Sequence, residues 1–478
     1  MFIDGRFTDG GVAERIVRKS PAHGVEVASW PAGDERSVNK AVAAARRAFA
    51  SGAWSRLHCA QRAAVMRKAA DLVEANLEKF ALVEALETGK PIMQARAEMG
   101  GVVNLWHYAA GACRTIRGES YNNLGENLFG LTIRQPVGVV GAIIPWNFPL
   151  IVLSERLPFI LAAGCTAVIK PAEQTSGTAL MLAEVLAKAG LPAGTVNIVT
   201  GTGPDAGQPL LDHRDVDMIS FTGSTEVGRK VLAGAARNIK HVGLELGGKN
   251  PFVVFADADL KAAADAAAFS MCFNAGQCCV SASRLIVHKS VEAPFTRMLA
   301  KLLRSIKIGD TLSPKTQIGA IFERAHMDKI MGYVNNADAK IVAGGKRAGP
   351  RRGMFIEPTL ITGAKRAAPI CREEVFGPVM TVHGFSTYEQ AVRLANDTRY
   401  GLSATIWSRD ASSCLRAYRD IDAGRIWINT VMEDGPETPL GGCKESGVGR
   451  EAGVMGIEAY TEVKTANINL GERERWLG

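Results

Sequence analysis

The sequence predicts an α/β protein with two doubly wound domains and a small appendage, and three observations carry that prediction. Short β-branched runs alternate with alanine-rich runs of helical period, the pattern of crossover units on a parallel sheet. The alternation comes in two series, one on either side of Gly247-Gly248. The chain has 478 residues, 47% hydrophobic and 22% charged, enough for about three units and more than one core. That excludes a disordered scaffold and a lone small module.

In chain order, residues 36–49 and 60–88 carry apolar side chains at helical spacing and are expected to cover the first sheet. Residues 115–134 are polar, with Gly118, Asn122, Asn123, Gly125, Asn127 and Gly130, and separate those helices from the first apolar strand. Residues 136–153 contain no charge and imitate a membrane span. Pro145, Asn147 and Pro149 lie inside that stretch, so a buried strand running into an irregular loop is expected instead, and no membrane partner.

The first series has strand candidates at Ala167-Val168-Ile169, Val196-Asn197-Ile198-Val199 and Met218-Ile219-Ser220-Phe221. A helix over 178–189 stops at Gly190-Leu191-Pro192, where glycine and then proline are the expected stop signals. A second helix over about 226–236 follows the turn Thr222-Gly223-Ser224, and the whole looks like a nucleotide-binding α/β domain. Gly247-Gly248 is the candidate hinge. The second series has strands at 252–255, 285–287, 379–382 and 404–407. Residues 456–478 are too short for a domain and are expected to pair with 115–134 or with another subunit.

Lys plus Arg is 56 and Asp plus Glu 48, a formal charge of +8, but the basic residues are spread out. The densest group, Lys346, Arg347, Arg351 and Arg352, is interrupted by glycines and reads as a solvated loop, so no nucleic-acid partner is expected. Nine cysteines form no C-x-x-C pair and the histidines no H-E-x-x-H or H-x-x-x-H, so neither a metal site nor a disulfide framework is expected. A reducing compartment fits, and with no signal or presequence pattern at residues 1–7 the expected location is cytoplasmic. Two glycine motifs mislead. Residues 223–228 have P-loop glycine spacing but are followed by Arg229-Lys230, and residues 447–452 match G-x-G-x-x-A without a preceding strand, so a tight turn is expected there.

Three pieces carry chemistry. In Phe273-Asn274-Ala275-Gly276-Gln277-Cys278-Cys279 a thiol follows a helix and a glycine. In Pro145-Trp146-Asn147-Phe148-Pro149 two prolines hold an amide that could donate to an oxyanion when a thiolate attacks a carbonyl. Glu245, between Leu244 and Leu246, is a carboxylate in an apolar setting, where its pKa rises toward that of a base for water. Taken singly, each has a bland reading: a buried cysteine, a turn-capping asparagine, a structural carboxylate.

Together they resemble the aldehyde dehydrogenase superfamily, over nearly the whole chain and in its order. The resemblance rests on residues 145–149, Lys170-Pro171-Ala172-Glu173, residues 221–228, 245–249, 276–279, 373–378 and 441–450. It implies a Rossmann-like NAD-binding domain (1–115 and 135–246), a catalytic domain (247–455) and a small β oligomerisation appendage (116–134 and 456–478). The protein would be a homodimer or homotetramer. By the G-Q-x-C pattern, Cys279 is the nucleophile and Cys278 packing or pocket lining. Asn147 and the Cys279 N–H form the oxyanion site, and Glu245 activates the deacylating water. Trp146, Lys170, Glu173, Ser224, Glu374 and Phe376 hold the cofactor. A carboxylate at the ribose favours NAD, with NADP as the alternative.

The implied reaction is aldehyde oxidation to the carboxylic acid through a hemithioacetal and a thioester. The competing readings are a catalytically silent NAD-binding protein and a dehydrogenase that acylates coenzyme A. Trp106, Trp427, Glu433 and Asp434 are the expected substrate-pocket residues, and acid beside tryptophan suggests an amino- or trimethylammonio-aldehyde. Gly111 is expected to widen the pocket. Cys443 has no functional account.

Overall fold

Strand Val139–Ile143 is buried along nearly its whole length, as a strand covered by helices on both faces must be. In the computed structural model, which describes residues 1–350, 352–473 and 475–477, it is the centre of the first sheet. The parallel order is Val196–Ile198, Thr166–Lys170, Val139–Ile143, Met218–Thr222, His241–Glu245. Arg351 of the basic stretch, and Glu474 and Gly478 of the terminal segment, lie outside the described residues.

The chain steps outward from Val139–Ile143 on one side and then returns to its other side at Met218–Thr222. That reversal opens a crevice beyond Ile143 and Thr222, where doubly wound sheets bind ligands. Helix α1 (Glu35–Ser51) closes one face. Helices α2 (Cys59–Glu74), α3 (Leu77–Thr88) and α4 (Ile92–Ala112) close the other. The span 60–88 therefore divides, and the Asn76 amide at the break donates to the Leu72 carbonyl at 2.8 Å. The uncharged segment 136–153 is strand, loop and the short helix α5 (Pro149–Ser154). Among the described residues no helix is long and apolar enough to cross a membrane.

The second sheet runs in parallel order Thr359–Thr362, Val379–Phe385, Ala282–His288, Asn250–Val254, Ser403–Trp407, Arg425–Ile428. Four of these strands match the second series, while Thr359–Thr362 and Arg425–Ile428 were not legible. At Gly247 and Gly248 a β-carbon would stand 2.2 Å from Glu374 Oε2 and 2.8 Å from the Cys279 carbonyl oxygen. These glycines are what lets a carboxylate and the cysteine loop press against the joint between the sheets.

Thr461–Asn469 pairs antiparallel with Leu128–Pro136, which also pairs with Ser120–Tyr121, so the appendage is a three-stranded β arm. The G-x-G-x-x-A stretch is an edge turn: Gly447–Val448 pairs antiparallel with Leu244 and Glu245.

Candidate active site

The cysteine loop is strained and held. Asn274, Ala275 and Gly276 follow one another at φ 49°, 55° and 70°, and only the glycine adopts that region freely. A β-carbon on Gly276 would stand 2.3 Å from the Gly377 carbonyl. Gln277, fully buried, fixes the turn: its amide donates to the Asn274 and Ala320 carbonyls at 3.0 and 3.2 Å, and its oxygen accepts the Phe322 N–H at 2.8 Å. Asn250 donates to the Cys279 and Ser281 carbonyls at 2.7 and 2.9 Å. Strain this well braced is the mark of a functional turn.

Asn147 lies against this loop. Its side-chain amide donates to the Gln277 carbonyl at 3.0 Å, and its backbone carbonyl accepts from the Asn274 amide at 2.9 Å. The Cys278 thiol, burial, and the Glu374 and Glu245 carboxylates hold the Cys279 thiol well above the ordinary cysteine range. At rest Cys279 is therefore a protonated thiol.

Glu245 ends strand His241–Glu245, 7% exposed, and among the described residues its buried Oε1 has no hydrogen-bond partner. Burial and then the nearby Glu451 carboxylate push it well above the usual carboxylate range, against Arg156. Arg156 is fully buried, 2.6 Å from Glu451, with further bonds to Ser220 Oγ (2.9 Å), the Val152 carbonyl (2.9 Å) and Thr222 Oγ1. A partnerless buried carboxylate beside a thiol is equipped to take a proton from water.

At the crevice, Lys170 ends its strand and donates to Glu173 Oε2 at 3.1 Å, and burial lowers its pKa. Ser224 is the exposed cap of helix Thr225–Ala235, its hydroxyl accepting the Val227 N–H. Glu374 accepts the Gly248 N–H at 2.9 Å, and burial lifts its pKa to about 7. Trp146 stacks on Phe322 at 4.0 Å, and Phe376, at φ 57°, meets it edge-on at 5.6 Å. His326, held neutral by burial with a pKa of about 4, donates to the Phe376 carbonyl at 2.7 Å. An ammonium–carboxylate pair, a Ser224-capped helix N-terminus and an aromatic cluster around Trp146, all following strands of the first sheet at the crevice end, fit a dinucleotide.

The substrate-pocket residues divide. A cavity of about 110 Å³ lies between α4, the end of α5 and residues 434–440. Gly101, Leu105, Ile151, Glu155, Asp434 and Leu440 are among its lining. Its Leu440 end lies next to Glu245, because at Gly441, the following residue, a β-carbon would stand 2.9 Å from Glu245 Oε1.

Asp434 is in the wall but ion-paired to Arg425. Trp106 is not in the wall: it is fully buried in the helix layer, donating to Ser154 Oγ at 3.1 Å. Trp427 is 5% exposed and is turned to the Glu433 carbonyl, to which it donates at 3.0 Å, while the Glu433 side chain is exposed. Gly111 sits at an exposed helix position with open space around it and does not widen this cavity. Sequence reasoning missed Glu155, Arg156, Gln277, Asn250 and Glu451. For the first two a signal existed, since Glu155-Arg156 is a charged pair between apolar stretches that a buried helix tolerates only with a role.

Fold and site together fit a nucleotide-dependent oxidoreductase. The chain belongs to the aldehyde dehydrogenase family, whose pattern it matches over residues 7–466. An NAD-dependent aldehyde dehydrogenase from Sinorhizobium meliloti superposes with a TM-score of 0.98 at 47% identity, covering 100% of this chain and 96% of that one. The betaine aldehyde dehydrogenase of Staphylococcus aureus, solved in complex with NAD+, gives 0.97 at 35% identity, covering 100% and 96%. The betaine aldehyde dehydrogenase of Bacillus subtilis is 39% identical over 470 residues, 97% of this chain and 96% of the relative.

Proposed function

We propose that the protein is an NAD-dependent aldehyde dehydrogenase that oxidises an aldehyde to its carboxylic acid through Cys279, Asn147 and Glu245. The observation that carries this is one site holding a braced, half-buried thiol, an amide against its loop and a partnerless buried carboxylate. Three roles in one site disfavour the silent reading, and a base for water disfavours acyl transfer to coenzyme A.

Cys279 loses its proton to solvent water and attacks the aldehyde carbon, forming the C–S bond. The carbonyl electron pair moves to oxygen, where the Asn147 amide and the Cys279 N–H stabilise it. Bound NAD supplies the hydride acceptor. The thioester on Cys279 is then hydrolysed by water that loses its proton to Glu245, and acid and thiol are released. Lys170 and Glu173 hold the adenosine ribose, Ser224 the pyrophosphate, and Trp146, Glu374 and Phe376 the nicotinamide end. Glu173 accepts from a ribose 2′-hydroxyl and repels a 2′-phosphate, so NAD is preferred to NADP.

The substrate is a cationic aldehyde, supported by the unpaired Glu155 in the cavity wall and by relatives that are betaine aldehyde dehydrogenases. The protein works in the cytoplasm as a homodimer or homotetramer, with residues 1–115 and 135–246 binding NAD and most of 247–455 carrying the chemistry. The test is NADH formation from betaine aldehyde, an aminoaldehyde and neutral aldehydes, by wild type and Cys279→Ala. Turnover that survives Cys279→Ala would overturn the assignment.

A further inference from the structure

Among the described residues, Glu155 is the one cavity charge without a committed partner. It follows α5 directly, eight residues after Asn147, and its field reaches Glu245. The charged groups acting on it are Arg156, Arg425 and Asp434. Arg425 is spent on Asp434 and on the Thr438 and Pro439 carbonyls, both at 3.2 Å. Arg156 is spent on Glu451, Ser220, Thr222 and Val152. Among the described residues, no hydrogen bond or ion pair reaches the Glu155 carboxylate, and burial raises its pKa to about 7. A half-buried carboxylate with no protein partner is free to receive a cation that donates hydrogen bonds.

The rest of the wall narrows the cation. The lining is Gly, Ala, Leu, Ile, Pro and Asn beside these charges, with no aromatic ring among the described residues. A quaternary ammonium has no N–H to donate and is held by aromatic faces. A primary ammonium has three donors and meets a carboxylate directly.

We propose that Glu155 sets the specificity of this cavity, accepting N–H hydrogen bonds from the primary ammonium of an ω-aminoaldehyde and selecting it over a trimethylammonio-aldehyde. This rests on the reading that the cavity receives a cationic aldehyde. The ion pair forms with ionised Glu155, so the preference strengthens from about pH 6 to about pH 8, while the ammonium stays charged.

The test compares kcat/KM for 3-aminopropanal, betaine aldehyde and propanal in wild type, Glu155→Gln and Glu155→Asp. Wild type prefers 3-aminopropanal to both others. In Glu155→Gln the ratio of 3-aminopropanal to propanal falls by about tenfold or more, mainly through KM, and loses its rise with pH. Glu155→Asp recovers part of it. The ratio of betaine aldehyde to propanal moves by less than about threefold, since that cation makes no hydrogen bond to lose. Equal losses on all three substrates, or cation preference untouched by Glu155→Gln, would overturn the role of Glu155 alone. Wild type preferring propanal to both cations would overturn the cationic-substrate reading and this proposal with it.

Discussion

The side-chain amide of Asn274 donates to the backbone carbonyl of Asn147 at 2.9 Å, and Asn147 returns a bond to the Gln277 carbonyl at 3.0 Å. The thiol loop, on the second sheet's side, and the amide loop, beyond the first sheet's central strand, are thus one braced unit. Gln277 is its buried keystone. Gln277→Ala leaves the Phe322 N–H and the Ala320 carbonyl short of partners, at about 1–3 kcal/mol for each buried group left unsatisfied, while the Asn274 carbonyl keeps the backbone N–H of residue 277. It also frees the strained turn to relax. Expected is a clear drop in Tm and at least about a tenfold fall in kcat, since small displacements of a nucleophile lose that much. Wild-type kcat in a folded Gln277→Ala protein would show that the brace does not position the thiol.

The thiol's titration is open to direct measurement. With the Cys279 pKa raised, first by Cys278 and then by burial and two carboxylates, alkylation by iodoacetamide in the absence of NAD should be slow near neutrality and rise into the alkaline range. Mass spectrometry locates the label. A rate already level below about pH 7 would mean the resting enzyme holds a thiolate.

As the proposed base for water, Glu245 would act in the second half of the cycle. Glu245→Gln should preserve a first-turnover burst of NADH and slow the steady state by about a hundredfold or more, the scale of a lost general base. In wild type the carboxylate must be ionised to act, so its raised pKa predicts that kcat declines as pH falls through that value. Rapid-mixing absorbance separates the phases, and a steady state as fast as wild type would remove Glu245 from the role.

Much of this was legible in the sequence, and the losses have physical causes. Strands covered on both faces, such as Thr166–Lys170, read as continuous β-branched runs and were found. Arg425–Ile428 was missed because its four residues mix an arginine with apolar side chains, short of a period that one sequence can display. Trp106 was misplaced because a helical position gives no sign of which face the indole occupies, and here it faces the helix layer. Glu155 went unread because a charge advertises itself as solvated. Only packing shows that this one lines a cavity.

In the proposed cofactor site, the choice between NAD and NADP turns on the Lys170–Glu173 pair. Glu173→Ser removes the carboxylate that repels a 2′-phosphate and leaves Lys170 unpaired to attract one. The ratio of kcat/KM for NADP to that for NAD should rise by about tenfold or more. An unchanged ratio would place the adenosine ribose elsewhere.

Glu87 offers a stability test away from the chemistry. It is buried, its Oε2 accepts the Gly177 N–H at 3.1 Å, its Oε1 has no partner, and burial lifts its pKa to about 8. The folded chain therefore holds a proton that the unfolded chain releases near the ordinary value of 4.5. What Glu87 contributes to stability is complete below that value and is lost as pH rises through about 8. Glu87→Gln, which cannot ionise, should gain Tm relative to wild type between about pH 5 and pH 9. A constant difference would mean that the carboxylate does not titrate in the fold.

The β arm tests the assembly. In the register of Leu128–Pro136 with Thr461–Asn469, Ile468 lies opposite Phe129 and Lys464 opposite Ile133, so Leu131, Ile133 and Ile468 share one face. All three are exposed within the chain, Ile133 by 55%. Among the described residues, the strand Thr461–Asn469 also leaves one edge unpaired. An apolar face beside an open strand edge invites another chain, and in a protein that stays monomeric both are liabilities. Ile133→Asp with Ile468→Asp places two charges on that face without touching either core. Sedimentation should show wild type as a dimer or tetramer and the double variant shifted toward the monomer, with its thermal unfolding still cooperative. A wild type that sediments as a monomer, or a variant with unchanged mass, would assign assembly to some other surface.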